Sequence, residues 1–137
     1  MARQAARIAL ALLFAQGLII GTWAAAWPRS FYDDFPGGGR SWVAADGPYN
    51  EHLVRDFGDL NLALAVVTLV ALIAFTRSVV LAAALGWIVY QTPHLVYHLR
   101  HLDLYDTSDK VANVTSLVLA LVLPIVVLLG ARRLQPG

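Results

Sequence analysis

The amino-acid sequence predicts an all-α fold: a polytopic membrane four-helix bundle with a long extracytoplasmic loop between the first and second helices. Three observations carry this. Of 137 residues, 58% are hydrophobic and only 14% charged, and the apolar residues run in long uninterrupted blocks rather than amphipathic stripes. Four such blocks approach the ~20 residues that a ~30 Å hydrocarbon core requires. Arginines free of acidic neighbours and clusters of acidic residues fall in alternate connections, so four antiparallel helices sort them to opposite sides.

The first helix is expected at about 8–27. Arg3 and Arg7 before it and Ala24-Ala25-Ala26 at its end have the form of a cleavable signal, but the run is long enough to span and is read as a retained helix. Its Gly17-Leu-Ile-Ile-Gly21 pattern lets another helix approach closely, within the bundle or in a homodimer. The loop over 28–50 carries Phe31, Tyr32, Phe35, Trp42 and Tyr49 around Pro36-Gly37-Gly38-Gly39. It is expected to lie over the outer ends of the bundle with its aromatics at the membrane interface.

The second helix is expected at 51–75, with Asn50 after Pro48 as its N-cap. Thr76-Arg77-Ser78 is a tight link to the third, at 79–99, and Arg100 to Lys110 a short polar link to the fourth, at 109–131, for which Asp106 or Ser108 supplies the cap. Links this short make antiparallel neighbours. Pro93 and Pro124 fall inside the third and fourth helices, each removing one backbone hydrogen bond. Residues 1–137 thus form a single membrane domain.

Arg3, Arg7, Arg77, Arg132 and Arg133 fall on one side without an acidic companion, and the positive-inside rule makes that side, with both termini, cytoplasmic. The expected location is the plasma membrane. All nine acidic residues and all four histidines then belong to the opposite side. A formal charge of +1 gives no reason for a nucleic-acid partner, and zero cysteines exclude disulfides, thiolate ligands and cysteine nucleophiles. There is no GxSxG nucleophile motif.

The chemistry gathers at the outer ends. Gln91, His94, His98 and His101 recur at intervals of three, four and three, which puts them on one face of the third helix. His94 and His98 form the H-x-x-x-H pair with which two imidazoles chelate one ion. His52 and Asp56 from the first turns of the second helix would complete a three-nitrogen, one-oxygen shell for a transition metal ion: zinc, iron, copper or manganese. Glu51 and Asp59 are the candidate catalytic proton carriers. Gln91, Arg55, His101, Asp109 and Asn113 are the candidates for orienting the ligands. With Asp109, Asn113 and Ser116 on one face of the fourth helix, three helices aim polar stripes at one region, which implies a polar cavity. The bland alternatives are that Arg55 with Asp56 or Asp59 is a structural ion pair, that His101 lies near water, and that Tyr90, Tyr97 and Trp87 are packing aromatics.

Three functions fit. One is a metal-dependent reaction on a lipid-soluble or lipid-borne substrate, in which the ion lowers the pKa of its bound water. Another is binding of a proton, metal or lipid at the histidines; a through-channel is disfavoured because the cytoplasmic halves hold few polar residues beyond Gln16, Thr68 and Thr76. The third is a non-catalytic accessory subunit that docks an exposed polar cluster to a partner in a larger membrane complex.

The four-helix layout, the long first loop and the stretch Pro48-Tyr-Asn-Glu-His-Leu-Val-Arg-Asp-Phe-Gly58 leading into the second helix resemble small DoxX-like membrane proteins and related actinobacterial ones. The resemblance is architectural. It implies the fold and a membrane-associated redox or lipid-related role, and it assigns no site residue.

Overall fold

Stretches of Ala, Leu and Val satisfy their backbone hydrogen bonds internally as helices, the only open-ended way to do so in lipid. The computed structural model, which describes residues 1–132 and 134, contains four long helices of this kind. In chain order the elements are α1 (Ala2–Ala26), α2 (Pro28–Asp34), a hairpin of β1 (Pro36–Gly37) and β2 (Arg40–Ser41), α3 (Trp42–Ala45), α4 (Glu51–Ala74), α5 (Arg77–Arg100) and α6 (Thr107–Ala131). Length and hydropathy make α1, α4, α5 and α6 membrane spans, and the chain is an integral, multi-pass membrane protein. Their outward faces fit this: Ile19, Val66, Ile73, Val89 and Leu119 stand exposed on four different helices, an apolar surface suited to lipid and not to water.

The caps follow from side-chain chemistry. Asn50 accepts a hydrogen bond from the Leu53 N–H at 3.2 Å, and Asp106 accepts one from the Asp109 N–H at 2.8 Å. That backbone N–H holds the Asp106 carboxyl below its ordinary range. α1 starts six residues before the predicted Ile8, because the Arg3 and Arg7 side chains have somewhere to go. Their guanidinium groups lie 5.4 and 4.1 Å from the Phe75 ring centroid, beside the C-terminus of α4. Phe75 closes α4 in the left-handed region, at φ 44°, an unusual conformation for an aromatic residue.

The helices pack as an antiparallel ring in the order α1, α4, α5, α6, with α6 returning to α1. The closest approach is between α1 and α4. Gly17 and Gly21 face Asn61, Ala65 and Gly58, and a Cβ added at Gly58 would come within 2.5 Å of the Ala25 nitrogen. Small residues allow this backbone-to-backbone packing. The close helix approach expected of these glycines is thus made within the bundle, by α4. At the other end Gly130 admits Ala6 in the same way.

Trp87 is fully buried where α5 meets α1 and α4, and its indole N–H donates to the Thr68 hydroxyl at 2.8 Å. Thr68 in turn donates to the Leu64 carbonyl at 2.7 Å, so this mid-bundle polar pair is satisfied. Arg3, Arg7, Arg77 and Arg132 lie toward one end of the ring; Arg133 lies outside the described residues. The connection 28–50 and the acidic residues occupy the other end.

That connection is folded, and its aromatics turn inward. Phe31 and Trp42 are buried, and Phe31 meets the rings of Trp23, Phe35 and Phe57 at centroid distances of 5.6, 4.7 and 5.6 Å. The expectation of interface aromatics is corrected for these residues: ring-on-ring packing over the bundle end builds a second small core. Tyr32 and Tyr49 pair beside it, and the Tyr32 hydroxyl donates to the Gly47 carbonyl.

Candidate functional site

Beneath this cap the bundle does not close. A cavity of about 570 Å³ extends downward between the cap-side halves of α1, α4, α5 and α6. Its floor and walls come from Gln16 and Ile20 of α1, Val54, Phe57 and Asn61 of α4, Tyr90, Gln91, His94 and His98 of α5, and Asn113, Leu117 and Ala120 of α6. Phe31, Phe35, Trp42 and Asp46 roof it. A cavity is present where the polar stripes converge, but it is not the polar one expected: its walls are mostly apolar, and the polar groups are set singly among them.

α5 supplies an aromatic ladder. Trp87, Tyr90, His94 and His98 succeed one another at centroid distances of 6.0, 5.7 and 4.8 Å, with the Tyr90 and His94 rings stacked. The spacing of three to four residues along one helix face produces this ladder. Asn61, buried on α4, donates to the Tyr90 hydroxyl at 3.1 Å and to the Phe57 carbonyl at 2.9 Å, which holds the ladder against α4.

Above the ladder a polar rim ties the cap down. Tyr97 donates to Asp46 at 3.0 Å, and Tyr105 donates to the Trp42 carbonyl at 3.3 Å while standing 3.5 Å from His98 Nδ1. Burial, with help from the Asp46 charge, pushes the Tyr105 hydroxyl up to about 12, so it stays protonated through the physiological range. Arg40 of the hairpin forms an ion pair with Asp109 at the start of α6.

The candidate residues divide into two sets. His94, His98, Gln91 and Asn113 face the cavity together. Glu51, His52, Arg55, Asp56 and Asp59 do not: they stand exposed on another face of α4. There His52 faces Asp56 at 3.4 Å and Glu51 accepts from Arg55 at 2.9 Å, and Arg55 also donates to the Ala25 carbonyl at the end of α1. The physical reason is the Gly21 to Gly58 contact, which fixes the rotation of α4. At about 100° per residue, a face that presents Asn61 inward carries His52 about 180° away and Asp59 about 160° away. The four-residue shell of His52, Asp56, His94 and His98 is therefore not brought together, and among the described residues no three His, Cys, Asp or Glu side chains are placed to share one ion.

His101 stacks on Tyr97 at 4.1 Å and its Nδ1 lies 2.8 Å from the Tyr97 carbonyl, on the rim rather than in the cavity. Asp109 holds the cap through Arg40. The polar residues that the sequence left out are Asn61, Asp46, Trp42 and Gln16. Gln16, read as belonging to the opposite half of the bundle, reaches the cavity floor. Asn61 carries a legible signal, an amide among apolar residues at the spacing of Gly58 and Ala65; nothing in the sequence singles out Trp42.

In comparisons with family models, with curated proteins and with solved structures, nothing matches this chain.

Proposed function

We propose that this integral membrane protein binds a lipid-soluble molecule in the cavity between its outer helix halves, on the extracytoplasmic side. The observation that carries this reading is the cavity itself: about 570 Å³, walled mainly by aromatic and aliphatic side chains and open to a few fixed polar groups. That is the anatomy of a small-molecule site, within the ~300–1,000 Å³ range such sites occupy. Its position in the outer half of a bundle otherwise packed with Ala, Leu and Val suits a ligand that arrives through the bilayer rather than through water.

A metal-dependent reaction is the second reading, and it is favoured by the His94 and His98 rings, whose centroids are 4.8 Å apart on the cavity wall. In this reading the two imidazoles hold a transition metal ion whose other positions are filled by water or by the bound molecule. Glu51 and Asp59, on the exposed face of α4, are too poorly placed to serve it as proton carriers; Asp46 on the rim is the nearer carboxylate, through Tyr97.

The test is native mass spectrometry of the protein released from mild detergent without chelator, beside an Ala120→Trp variant that fills the cavity from α6. A co-purifying small molecule on the native protein, lost in the folded variant, is the expected result. An unchanged adduct in Ala120→Trp would place binding elsewhere and overturn the reading. Elemental analysis of the same samples with a His94→Ala/His98→Ala variant decides the metal: near-stoichiometric metal lost in the variant supports it, and none in the native protein removes it.

Orientation is checked separately. Because the chain has no cysteine, a single Gly38→Cys is expected to react with a membrane-impermeant maleimide on intact cells and a single Ser78→Cys only after lysis. The reverse pattern would invert the proposed topology.

A further inference from the structure

At the cap the cavity has a mouth. Asp46, Gly47 and Pro48 at the end of the cap, with Asn50 and Leu53 at the start of α4, line the cavity and are at the same time exposed. Tyr97, in the last turn of α5, donates to Asp46 Oδ1 at 3.0 Å. The mouth is therefore framed by the cap, the first turn of α4 and the end of α5, and a carboxylate stands in it.

That carboxylate has no cation of its own. Tyr97 engages one of its oxygens, and among the described residues no Lys or Arg is paired with it: Arg29, Arg40 and Arg55 are held by Asp33, Asp109 and Glu51. No described Lys or Arg lines the cavity either. With the imidazoles neutral, Asp46 carries the only formal charge among the described lining residues, and it is near enough to act on His94 and His98 in the wall. Two polar atoms deeper in do not compete for a ligand. Trp42 Nε1 and Asn113 Oδ1, unpartnered among the described residues, have almost no accessible surface and cannot reach one.

The rest of the wall is apolar. Phe31 lies 4.7 Å from Phe35 and 5.6 Å from Phe57, centroid to centroid, and all three line the cavity. Ile20, Leu117 and Ala120 continue this surface, which from Asn113 to Ala120 runs about 10 Å along α6 at ~1.5 Å per residue.

We infer that the molecule bound here is a lipophilic cation, with a single ammonium head in the mouth beside Asp46 and an apolar body about 10 Å long among the rings. This rests on the cavity-binding reading above and names its ligand class. A lone carboxylate at the opening of a low-dielectric cavity attracts positive charge, and the electron-rich faces of aromatic walls add to that attraction. An anion would meet Asp46 with nothing of opposite sign to balance it. A zwitterionic phospholipid would bring a phosphate that no lining Lys or Arg receives. A neutral molecule gains nothing from the charge.

The experiment uses the full chain in phosphatidylcholine nanodiscs at about pH 8, where imidazoles are neutral. Three tritiated probes are compared at equal membrane mole fraction: decyltrimethylammonium, the neutral hydrocarbon in which carbon replaces its nitrogen, and decanesulfonate. Occupancy is read by scintillation proximity against protein-free nanodiscs. On the wild type the ammonium is expected to exceed its hydrocarbon isostere about fivefold, as for a well-formed but partly exposed ion pair, with the sulfonate weakest. Asp46→Asn keeps an acceptor for Tyr97 and removes the charge, and is expected to cut the preference to about twofold or less while the isostere binds as before. Asp103→Asn removes an exposed carboxylate that does not line the cavity, and is expected to keep the preference.

Equal binding of ammonium and isostere, or strongest binding of the sulfonate, would overturn the inference and leave the cavity as a site for another class of molecule. A preference that survives Asp46→Asn, or that falls equally in Asp103→Asn, would overturn it by assigning the selectivity to the acidic end as a whole. Binding of no probe above the protein-free level would remove the cavity-binding reading as well. The wild-type comparison needs no variant, so it decides the head-group charge even if a variant fails to fold.

Discussion

Trp87→Ala is expected to be the most damaging single substitution in the bundle, at about 3 kcal/mol or more. In cores generally, Trp to Ala costs ~3–5 kcal/mol through lost transfer energy and a cavity that the surroundings only partly fill. Lipid is as apolar as this core, so the transfer part shrinks and the packing part remains. Packing is where Trp87 matters: its ring reaches α1 at Gly17, where an added Cβ would stand 3.2 Å from the indole Cη2, and α4 at Thr68. It is also the base of the ladder through Tyr90 and His94 to His98. Trp87→Phe keeps most of the contact area and gives up the hydrogen bond to Thr68, for which about 1 kcal/mol is expected. Thermal unfolding in mild detergent should rank the proteins wild type, Phe, Ala. If Ala and Phe lose stability equally, the hydrogen bond and not the packing is what counts. A further consequence belongs to the site: with Trp87 gone, Tyr90 and His94 lose their support, and retention of small molecules in the cavity should fall with stability.

Gly58→Ala is the second. A methyl group there would meet the Ala25 nitrogen at 2.5 Å, the Gly21 carbonyl oxygen at 2.9 Å and the Ala24 carbonyl carbon at 3.0 Å. All three are backbone atoms of α1, which cannot rotate away as a side chain can. The helices must separate, and the cost is expected near the upper end of the ~1–3 kcal/mol typical of overpacking. Gly86→Ala is the control, since its Cβ would meet only the Leu64 Cδ2, at 3.4 Å; better helix propensity makes it neutral or slightly stabilising. Equal unfolding midpoints for Gly58→Ala and wild type would show that the α1 to α4 seam is looser than its geometry implies. Because the same contact sets the rotation of α4, Gly58→Ala should also disturb Asn61 and the Tyr90 hydroxyl that it holds.

How far the sequence could be read differs between the fold and the site. The spans were legible because lipid leaves a chain few choices: Val111 to Gly130 is 20 residues with no charge, and a stretch of that kind satisfies its backbone as a helix. The caps at Asn50 and Asp106 were legible because a short polar side chain before an apolar run has one obvious partner, the first free N–H groups. The α5 stripe was legible for the same local reason, since residues three and four apart share a face whatever the helix packs against.

His52, Asp56 and Asp59 mark where local reading stops. They share a face of α4, but which way that face turns is decided by Gly21 against Gly58, two residues in different helices. The signal was present in the line of Gly58, Asn61 and Ala65 on α4 opposite Gly17 and Gly21 on α1, and a small-residue seam weighed against a charged face would have turned the charges outward. The inward aromatics of the cap and the unpartnered Trp42 had no such signal, because the connection folds on contacts with Trp23, Val54 and Phe57 from other elements.

By itself, then, the sequence determined a four-helix membrane protein with the arginines that lack acidic neighbours at one end and the carboxylates at the other, and an imidazole stripe on its third span with amides beside it, all consequences of periodicity and of the absence of water in a bilayer. Only the tertiary structure decided that His94, His98, Gln91 and Asn113 share a roofed cavity while the α4 charges face away. Helix rotation is set by backbone contacts between distant residues, and no spacing within one helix encodes it.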